Sequence, residues 1–135
     1  MKTITYIDQA NLNRQRILLR VDFNVSLNQN GSISDDSRIT AALPTINYLL
    51  KQQNKLILIT HLGKPKQREQ KFSLKPVADR LQQLLPEEKI ILVNDFLTAD
   101  HQIFSGQTDK EILLLENIRF YPEEKNNDPA FAKKL

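Results

Sequence analysis

The sequence predicts an α/β fold: a doubly wound, Rossmann-like parallel sheet with flanking helices, truncated at its C-terminal end. At 135 residues, the chain fits one domain or part of one. Two observations carry the prediction. Short apolar runs are separated by stretches with helical spacing, which is the order typical of this fold. The runs are nearly continuous rather than alternating, as expected of parallel strands that are covered on both faces.

Four strands are predicted from runs rich in leucine, isoleucine and valine. They are residues 16–23 (RILLRVDF), 55–60 (KLILIT), 89–93 (KIILV) and 111–115 (EILLL).

A first helix is predicted between the first two strands, and Pro44 inside it should kink or divide it. Its apolar positions are Ile39, Leu43, Ile46, Leu49 and Leu50, and the capping candidates before it are Asp35, Asp36 and Ser37.

Two further helices are predicted later in the chain. Ser73 is the N-cap candidate of the second, whose apolar face comprises Val77, Leu81, Leu84 and Leu85. Asp128 followed by Pro129 is a strong start for the third, a capping residue before a first-turn proline. Only about two turns fit between that start and the last residue.

Composition excludes several classes of site and protein. The absence of cysteine excludes disulfides, thiolate nucleophiles and sulfur metal sites, and two histidines cannot form a three-histidine zinc site. Three scattered glycines form neither of the common glycine-rich nucleotide loops. The first 13 residues lack the apolar stretch of a secretory signal, and there is no membrane-length apolar run. The net charge of +3 permits an anionic partner without requiring nucleic acid.

Side chains able to bind an anion follow three of the predicted strands. Ligands of open α/β sheets bind outside the carboxyl ends of the strands. The segments 22–24, 61–64 and 116–119 lie there, and Arg38 lies in the first turn of the first helix. Arginine grips an anion bidentately, whereas Asp and Asn bind hydroxyl groups. The rim therefore predicts a small substrate that carries phosphate or carboxylate together with hydroxyls.

The same residues also have structural interpretations. These are a turn carboxylate for Asp22, a satisfied loop histidine for His61, and surface ion pairs for Arg38 with Asp35 or Asp36 and for Arg119 with Glu123 or Glu124. The basic stretch 64–71 is more typical of a solvated loop than of a nucleic-acid patch. Only the convergence on one rim favours a functional site.

Six segments resemble the phosphoglycerate kinases, in the same order and over essentially the whole chain. They are 18–27 (LLRVDFNVSL), 31–46 (GSISDDSRITAALPTI), 60–65 (THLGKP), 72–81 (FSLKPVADRL), 114–120 (LLENIRF) and 123–135 (EEKNNDPAFAKKL). The resemblance implies a longer, two-domain enzyme of glycolysis, cytoplasmic and monomeric. Residues 1–135 would be its incomplete N-terminal domain, which binds 3-phosphoglycerate or 1,3-bisphosphoglycerate. A C-terminal domain absent from this chain would bind Mg-ADP or Mg-ATP, so no cofactor or metal is expected here.

The resemblance also implies roles for individual residues. Asp22 and Asn24 would hold the glycerate hydroxyl and neighbouring oxygens, and Arg38, the catalytic residue, would lie where the phosphoryl group moves. The remaining contacts would hold the non-reacting phosphate: His61, Leu62, Gly63, Lys64 and Arg119. The family usually has arginine where this chain has Lys64, which keeps the charge but loses the bidentate fork. Ser26 replaces the family's usual proline, which should loosen the loop.

Two other functions compete with this one. The chain could be a stand-alone module that binds phosphorylated glycerate without turnover. The second alternative is a basic regulator that binds nucleic acid. However, the basic residues of this chain are not interleaved with aromatic residues on which bases could stack.

A truncated domain is expected to differ from a whole one in its sheet edge, its packing and its stability. The sheet should have an unpaired edge beside 111–115 or another strand, and Phe131 and Leu135 should have little to bury against. We therefore expect the 135-residue chain to be less stable than a whole domain, to self-associate through that edge, and to show no kinase turnover.

Overall fold

A computed structural model describes residues 3–135 and contains six strands and five helices within that range. The strands are β1 (Arg16–Arg20), β2 (Ser26–Leu27), β3 (Ile33–Asp35), β4 (Lys55–Ile59), β5 (Lys89–Val93) and β6 (Glu111–Leu115). The helices are α1 (Ser37–Leu50), α2 (Lys75–Leu84), α3 (His101–Ser105), α4 (Pro122–Lys125) and α5 (Pro129–Lys134). Short 3-10 turns lie at Ile7–Gln9, Gln70–Phe72 and Ile118–Phe120.

Four strands form one parallel sheet in the order β1-β4-β6-β5, and β2 and β3 form a separate antiparallel hairpin. The chain crosses from β1 to β4 through α1, and from β4 to β5 through α2. The chain then turns back through α3, so that β6 lies between β4 and β5. Because such crossovers are right-handed, reversing direction moves the connecting helix to the opposite face. The predicted α/β parallel sheet is confirmed.

The central strands are buried on both faces, as their continuous apolar sequences predict. On one face, Leu56 and Leu58 pack with residues of α1 and α2 such as Ile46 and Leu81. On the other, Ile57 and Ile59 pack with a cluster that includes Phe104 of α3. Alternate residues of one strand therefore serve two separate cores.

Helix α1 shows why Pro44 does not divide it, so that part of the prediction is wrong. The helix is continuous from Ser37 to Leu50. A proline removes a bond to the carbonyl four residues earlier, here that of Thr40. Both Pro44 and Thr40 lie on the exposed side, where water can solvate that carbonyl, while Ile46 and Leu49 anchor the helix to the sheet.

Two capping predictions are corrected in detail. Asp36 occupies the N-cap position of α1 without a side-chain capping bond, because its carboxylate pairs with Arg80 at 2.8 Å. Asp35 instead accepts from the amide of Ser37 at 2.9 Å. Ser73 lies one residue before the N-cap position of α2, although its hydroxyl still accepts from the amide of Lys75 at 3.2 Å.

The third helix start is confirmed, but the expectation that Phe131 lacks packing is wrong. The carboxylate of Asp128 accepts from the amides of Ala130 and Phe131 at 2.8 and 3.2 Å. The ring of Phe131 is buried against Phe96 and Tyr121, with ring centroids 5.7 and 5.3 Å away. The loop after β5 and the turn after β6 together provide this aromatic pocket.

Of the two alternatives for the unpaired edge, the strand at 111–115 is wrong, because β6 lies between β4 and β5. The edge strands of the sheet are β1 and β5. Within the run 16–23, only Arg16–Arg20 is strand, and its residues alternate between exposed and half-buried. Leu18 is left exposed on this strand.

No helix among residues 3–135 is both long enough and apolar enough to cross a membrane.

Candidate functional site

The three rim segments predicted from the sequence lie side by side, since β1, β4 and β6 are neighbours in the sheet. The amide of Val21 donates to the carbonyl of Ile59 at 3.0 Å, and the amide of Ile118 donates to the carbonyl of Thr60 at 3.0 Å. The hydroxyl of Thr60 accepts from the amide of Phe23 at 3.0 Å. The chain segments that leave the three strands are thus bonded to one another at their first turns.

Arg38 is held over the first of these segments. Its Nη1 donates to the carboxylate of Asp22 at 3.1 Å and to the carbonyl of Asn24 at 2.9 Å. The predicted surface pairing of Arg38 with Asp35 or Asp36 is therefore wrong. Asp22 also accepts from the amide of Asn24 at 3.2 Å, so it closes a turn while it orients the guanidinium group. Both side chains remain at least half exposed, which leaves them accessible to a ligand.

The turn at 61–64 is fixed from two sides by amide side chains. Asn117 is fully buried, and it accepts from the amide of Leu62 at 3.2 Å and donates to the carbonyl of Leu62 at 2.8 Å. On the other side, the amide of Gly63 donates to Oδ1 of Asn24 at 2.8 Å. Both backbone amides are thus occupied within the protein, so Leu62 and Gly63 shape the turn. The Nδ2 of Asn24 remains as the atom that can meet a ligand.

Gly63 is required at its position for two reasons. Its φ of +63° lies in the left-handed region that favours glycine. A Cβ atom there would overlap the ring of Phe72 at Cε1 and Cδ1. The ring of Phe72 therefore closes directly on the turn that presents His61 and Lys64.

Arg119 is confirmed beside Glu124, one of the two partners considered from the sequence. Its Nε lies 2.5 Å from Oε2 of Glu124, and the other oxygen of Glu124 accepts from Nη2 of Arg20 at 3.0 Å. From the sequence, Arg20 is only one residue of a predicted strand. Arg20 could have been identified as a site residue because it is the last residue of β1 and lies on the exposed face of that strand.

Lys64 is exposed and lines a cavity of about 610 Å³. Lys66, Arg119 and Asn126 also line it. Pro65 and Pro122 complete the lining, and all of its charged side chains are cationic, which suits an anion such as phosphate.

The basic stretch 64–71 is only partly a solvated loop. Arg68 donates to the carbonyl of Asn94 at 2.7 Å, and its guanidinium group lies over the rings of Phe120 and Tyr121 at 5.0 and 5.6 Å. Arg68 therefore braces the turn that carries Arg119.

Glu116, at the start of the third segment, is buried and does not face a ligand. Its carboxylate accepts from the hydroxyl of Ser73 and the amide of Leu74, both at 2.7 Å, and from the amide of Asn117 at 2.9 Å. Glu116 and Asn117 thus connect the turn after β6 to the start of α2. From the sequence, both residues were part of the rim, but neither is accessible.

His61 lies among charged groups of both signs. Burial and the guanidinium groups of Arg119 and Arg20 lower the pKa of His61 below its ordinary value of 6.5, while Asp22 and Glu124 oppose this effect. The imidazole is therefore neutral at pH 7, and one nitrogen can donate while the other accepts.

Within residues 3–135, no group of three or more His, Asp or Glu side chains is placed to hold a metal ion. The side chains at the rim that can meet a ligand are Asp22, Asn24, Arg38, His61, Lys64 and Arg119, joined by Arg20. This arrangement can bind a small anion at its His61–Arg119 end and hydroxyl or carboxyl oxygens at its Asp22–Arg38 end.

Comparison with known proteins gives one consistent family. A family model described as phosphoglycerate kinase matches residues 7–135. The phosphoglycerate kinase of Dictyoglomus turgidum is 48% identical over 137 residues, which cover 99% of this chain and 34% of that protein. The protein named phosphoglycerate kinase 3, cytosolic, of Arabidopsis thaliana is 44% identical over 135 residues, 99% of this chain and 33% of its own length. The chain thus spans about a third of the length of the curated relatives that it matches.

Solved structures agree with the sequence comparison. The phosphoglycerate kinase of Coxiella burnetii superposes with a TM-score of 0.80 at 36% identity, covering 95% of this chain and 31% of that chain. The phosphoglycerate kinase of Pyrococcus horikoshii superposes with a TM-score of 0.78 at 30% identity.

Proposed function

Since the chain belongs to the phosphoglycerate kinase family, we propose that it supplies the phosphoglycerate site of such a kinase. The proposed reaction is the reversible transfer of the acyl phosphate of 1,3-bisphosphoglycerate to ADP, which gives 3-phosphoglycerate and ATP. The observation that carries the proposal is the meeting of two groups at one rim. Arg38 is bonded to Asp22 and Asn24, and His61 lies beside Arg119 and Arg20.

The geometry supports one orientation of the bound substrate along this rim. The non-reacting phosphate would lie beside Lys64 and Arg119, which line the cationic cavity, with His61 close to Arg119. The glycerate hydroxyl would meet the carboxylate of Asp22 and Nδ2 of Asn24. The carboxyl end would then reach Arg38, whose fixed guanidinium neutralises charge as the phosphorus–oxygen bond of the acyl phosphate breaks and the carboxylate is released.

The nucleotide belongs elsewhere in this proposal. The rim offers no glycine-rich loop for the phosphates of ADP or ATP, because Gly31, Gly63 and Gly106 are scattered along the chain. Mg-ADP or Mg-ATP would be held by a second domain outside residues 1–135. We therefore expect the 135-residue chain alone to bind substrate without turnover. The proposed setting is glycolysis in the cytoplasm. We expect the full enzyme to be a monomer with no nucleic-acid or membrane partner. The isolated chain should self-associate through its β1 or β5 edge.

Titration with 3-phosphoglycerate tests the site directly. We expect backbone amide resonances around Asp22, Arg38, His61 and Arg119 to shift together, with one dissociation constant, because one ligand contacts all three segments. Shifts confined to the loop 64–71 would indicate nonspecific anion attraction and would contradict the site. A coupled assay with ATP on the same sample shows whether the chain only binds substrate or is a complete kinase. Turnover by the pure chain would refute the proposal that substrate and nucleotide are bound by different domains.

Binding of the phosphate should also be coupled to protonation of His61. The free imidazole has a lowered pKa, and a nearby anion stabilises its protonated form, so binding takes up a proton. The contribution of His61 to the affinity for 3-phosphoglycerate should therefore rise as the pH falls from 7 toward the pKa of free His61, and level off below it. Calorimetry near pH 6 in two buffers of different ionisation enthalpy measures this proton uptake.

The phosphate group titrates in the same range, so the histidine contribution is isolated by substitution. His61→Gln should abolish its share of the proton uptake, whereas His101→Gln, at the start of α3, should leave the uptake unchanged. Equal uptake by the wild type and His61→Gln would show that His61 does not face the phosphate.

A further inference from the structure

Glu124 lies between two arginines of the site. One oxygen accepts from Nη2 of Arg20 at 3.0 Å, and the other lies 2.5 Å from Nε of Arg119. The carboxylate is only 11% exposed, whereas Arg20 and Arg119 are 56% and 30% exposed. An internal anion thus contacts two cations at the end of the rim where we have placed the ligand phosphate.

Only part of Arg119 is used in this pairing. The carboxylate meets its inner Nε, while the residue also lines the cationic cavity shared with Lys64 and Lys66. A phosphate in that cavity does not need to displace Glu124. It meets the guanidinium group of Arg119, whose charge is already partly neutralised, and it is repelled by the carboxylate behind that group.

We propose that Glu124 is an internal counter-ion that weakens phosphate binding at this site and so speeds ligand release. The inference rests on the proposed function only in taking a phosphate-bearing ligand to occupy the cavity. Weaker binding by a fixed site appears mainly as faster dissociation.

A purely structural role for Glu124 makes the opposite prediction. If the carboxylate mainly orients Arg20 and Arg119, replacing it would disorder both cations and weaken anion binding. Glutamine separates the two roles, because it keeps the shape and one acceptor oxygen but removes the charge.

The test compares Glu124→Gln with Glu123→Gln, which removes the same charge from the exposed neighbouring residue of α4. Inorganic phosphate and 3-phosphoglycerate are titrated at fixed pH and ionic strength. Glu124→Gln should bind inorganic phosphate about three- to tenfold more tightly, as expected when one close repulsive charge is removed. Glu123→Gln should change affinity by less than about twofold, as for an exposed and screened charge.

Two further measurements guard against a local structural change. Glu124→Asp retains the charge and should not bind phosphate more tightly than the wild type. The pKa of His61, followed by NMR without ligand, should fall further in Glu124→Gln, because the charge of Glu124 favours the protonated imidazole. An unchanged pKa would place Glu124 away from the cluster and would overturn the inference.

The outcomes also separate this inference from the proposed function. Unchanged or weaker phosphate binding by Glu124→Gln overturns the counter-ion role, even where 3-phosphoglycerate binds as proposed. Tighter phosphate binding, with 3-phosphoglycerate bound no better than inorganic phosphate, would support the counter-ion and refute the phosphoglycerate site.

Discussion

Replacing Arg38 with alanine is expected to lower kcat about 100- to 1000-fold in a two-domain kinase that carries this chain, with little change in KM. Arg38 is held by Asp22 and the carbonyl of Asn24, at 3.1 and 2.9 Å, at the end of the rim proposed for the reacting carboxyl group. A preorganised donor at the group whose charge changes during transfer stabilises the transition state more than the bound substrate.

The experiment needs a complete kinase. Residues 1–135 can replace the corresponding third of the Dictyoglomus turgidum relative, to which they are 48% identical. Steady-state kinetics with 3-phosphoglycerate and ATP then compare Arg38→Ala with Arg119→Ala. The second substitution should chiefly raise KM, because Arg119 lies at the end proposed for the non-reacting phosphate. A rise in KM alone for Arg38→Ala would show that the two roles are wrongly assigned.

Replacing Gly63 with alanine is expected to be the most destabilising of the changes considered, at about 2–5 kcal/mol in the free energy of unfolding. A left-handed backbone costs a residue with a Cβ atom about 1–2 kcal/mol, and forcing extra volume into a packed site costs about 1–3 kcal/mol. Both apply at Gly63, where φ is +63° and the new Cβ would overlap the ring of Phe72.

Gly31→Ala is the matched control for this substitution. Gly31 has a φ of +85°, but nothing lies within 4 Å of the place that a Cβ atom would take, so only the backbone cost of about 1–2 kcal/mol applies. Urea unfolding of both variants measures the difference. Adding Phe72→Ala to Gly63→Ala should remove the contact part of the loss, and equal losses for Gly63→Ala and Gly31→Ala would show that the ring yields freely.

Loss of the Gly63 turn should also weaken binding of 3-phosphoglycerate, because the turn carries both His61 and Lys64. Gly31 lies in the hairpin between β2 and β3, so Gly31→Ala should leave that affinity nearly unchanged. A comparable loss of affinity in both variants would indicate general unfolding rather than a change in the turn.

Several elements were predictable because their signals are local. The leucine- and isoleucine-rich runs at 55–60, 89–93 and 111–115 formed strands, since continuous apolar sequence suits a sheet covered on both faces. Asp128 followed by Pro129 began a helix for an equally local reason, the satisfaction of first-turn amides. By contrast, α3 was not predicted, because its five residues carry too short a pattern to stand out.

The rim was also predictable, since a parallel sheet gathers the ends of its strands at one edge. The sequence could not predict which side chains at the rim remain accessible. Asn117 and Glu116 are buried, because each bonds to segments more than 40 residues earlier in the chain. The pairing of Arg20 with Glu124 joins residues 104 apart, and no local pattern records it.

The sequence by itself therefore determined the fold class, the position of the four strands of the parallel sheet and the segments that form the rim. The tertiary structure alone decided that β6 lies between β4 and β5, that Arg38 bonds to Asp22, and that Glu124 lies between Arg20 and Arg119. The physical reason is the range of the forces. Apolar periodicity and capping act within a few residues, whereas ion pairs and buried hydrogen bonds form only after packing brings distant segments together.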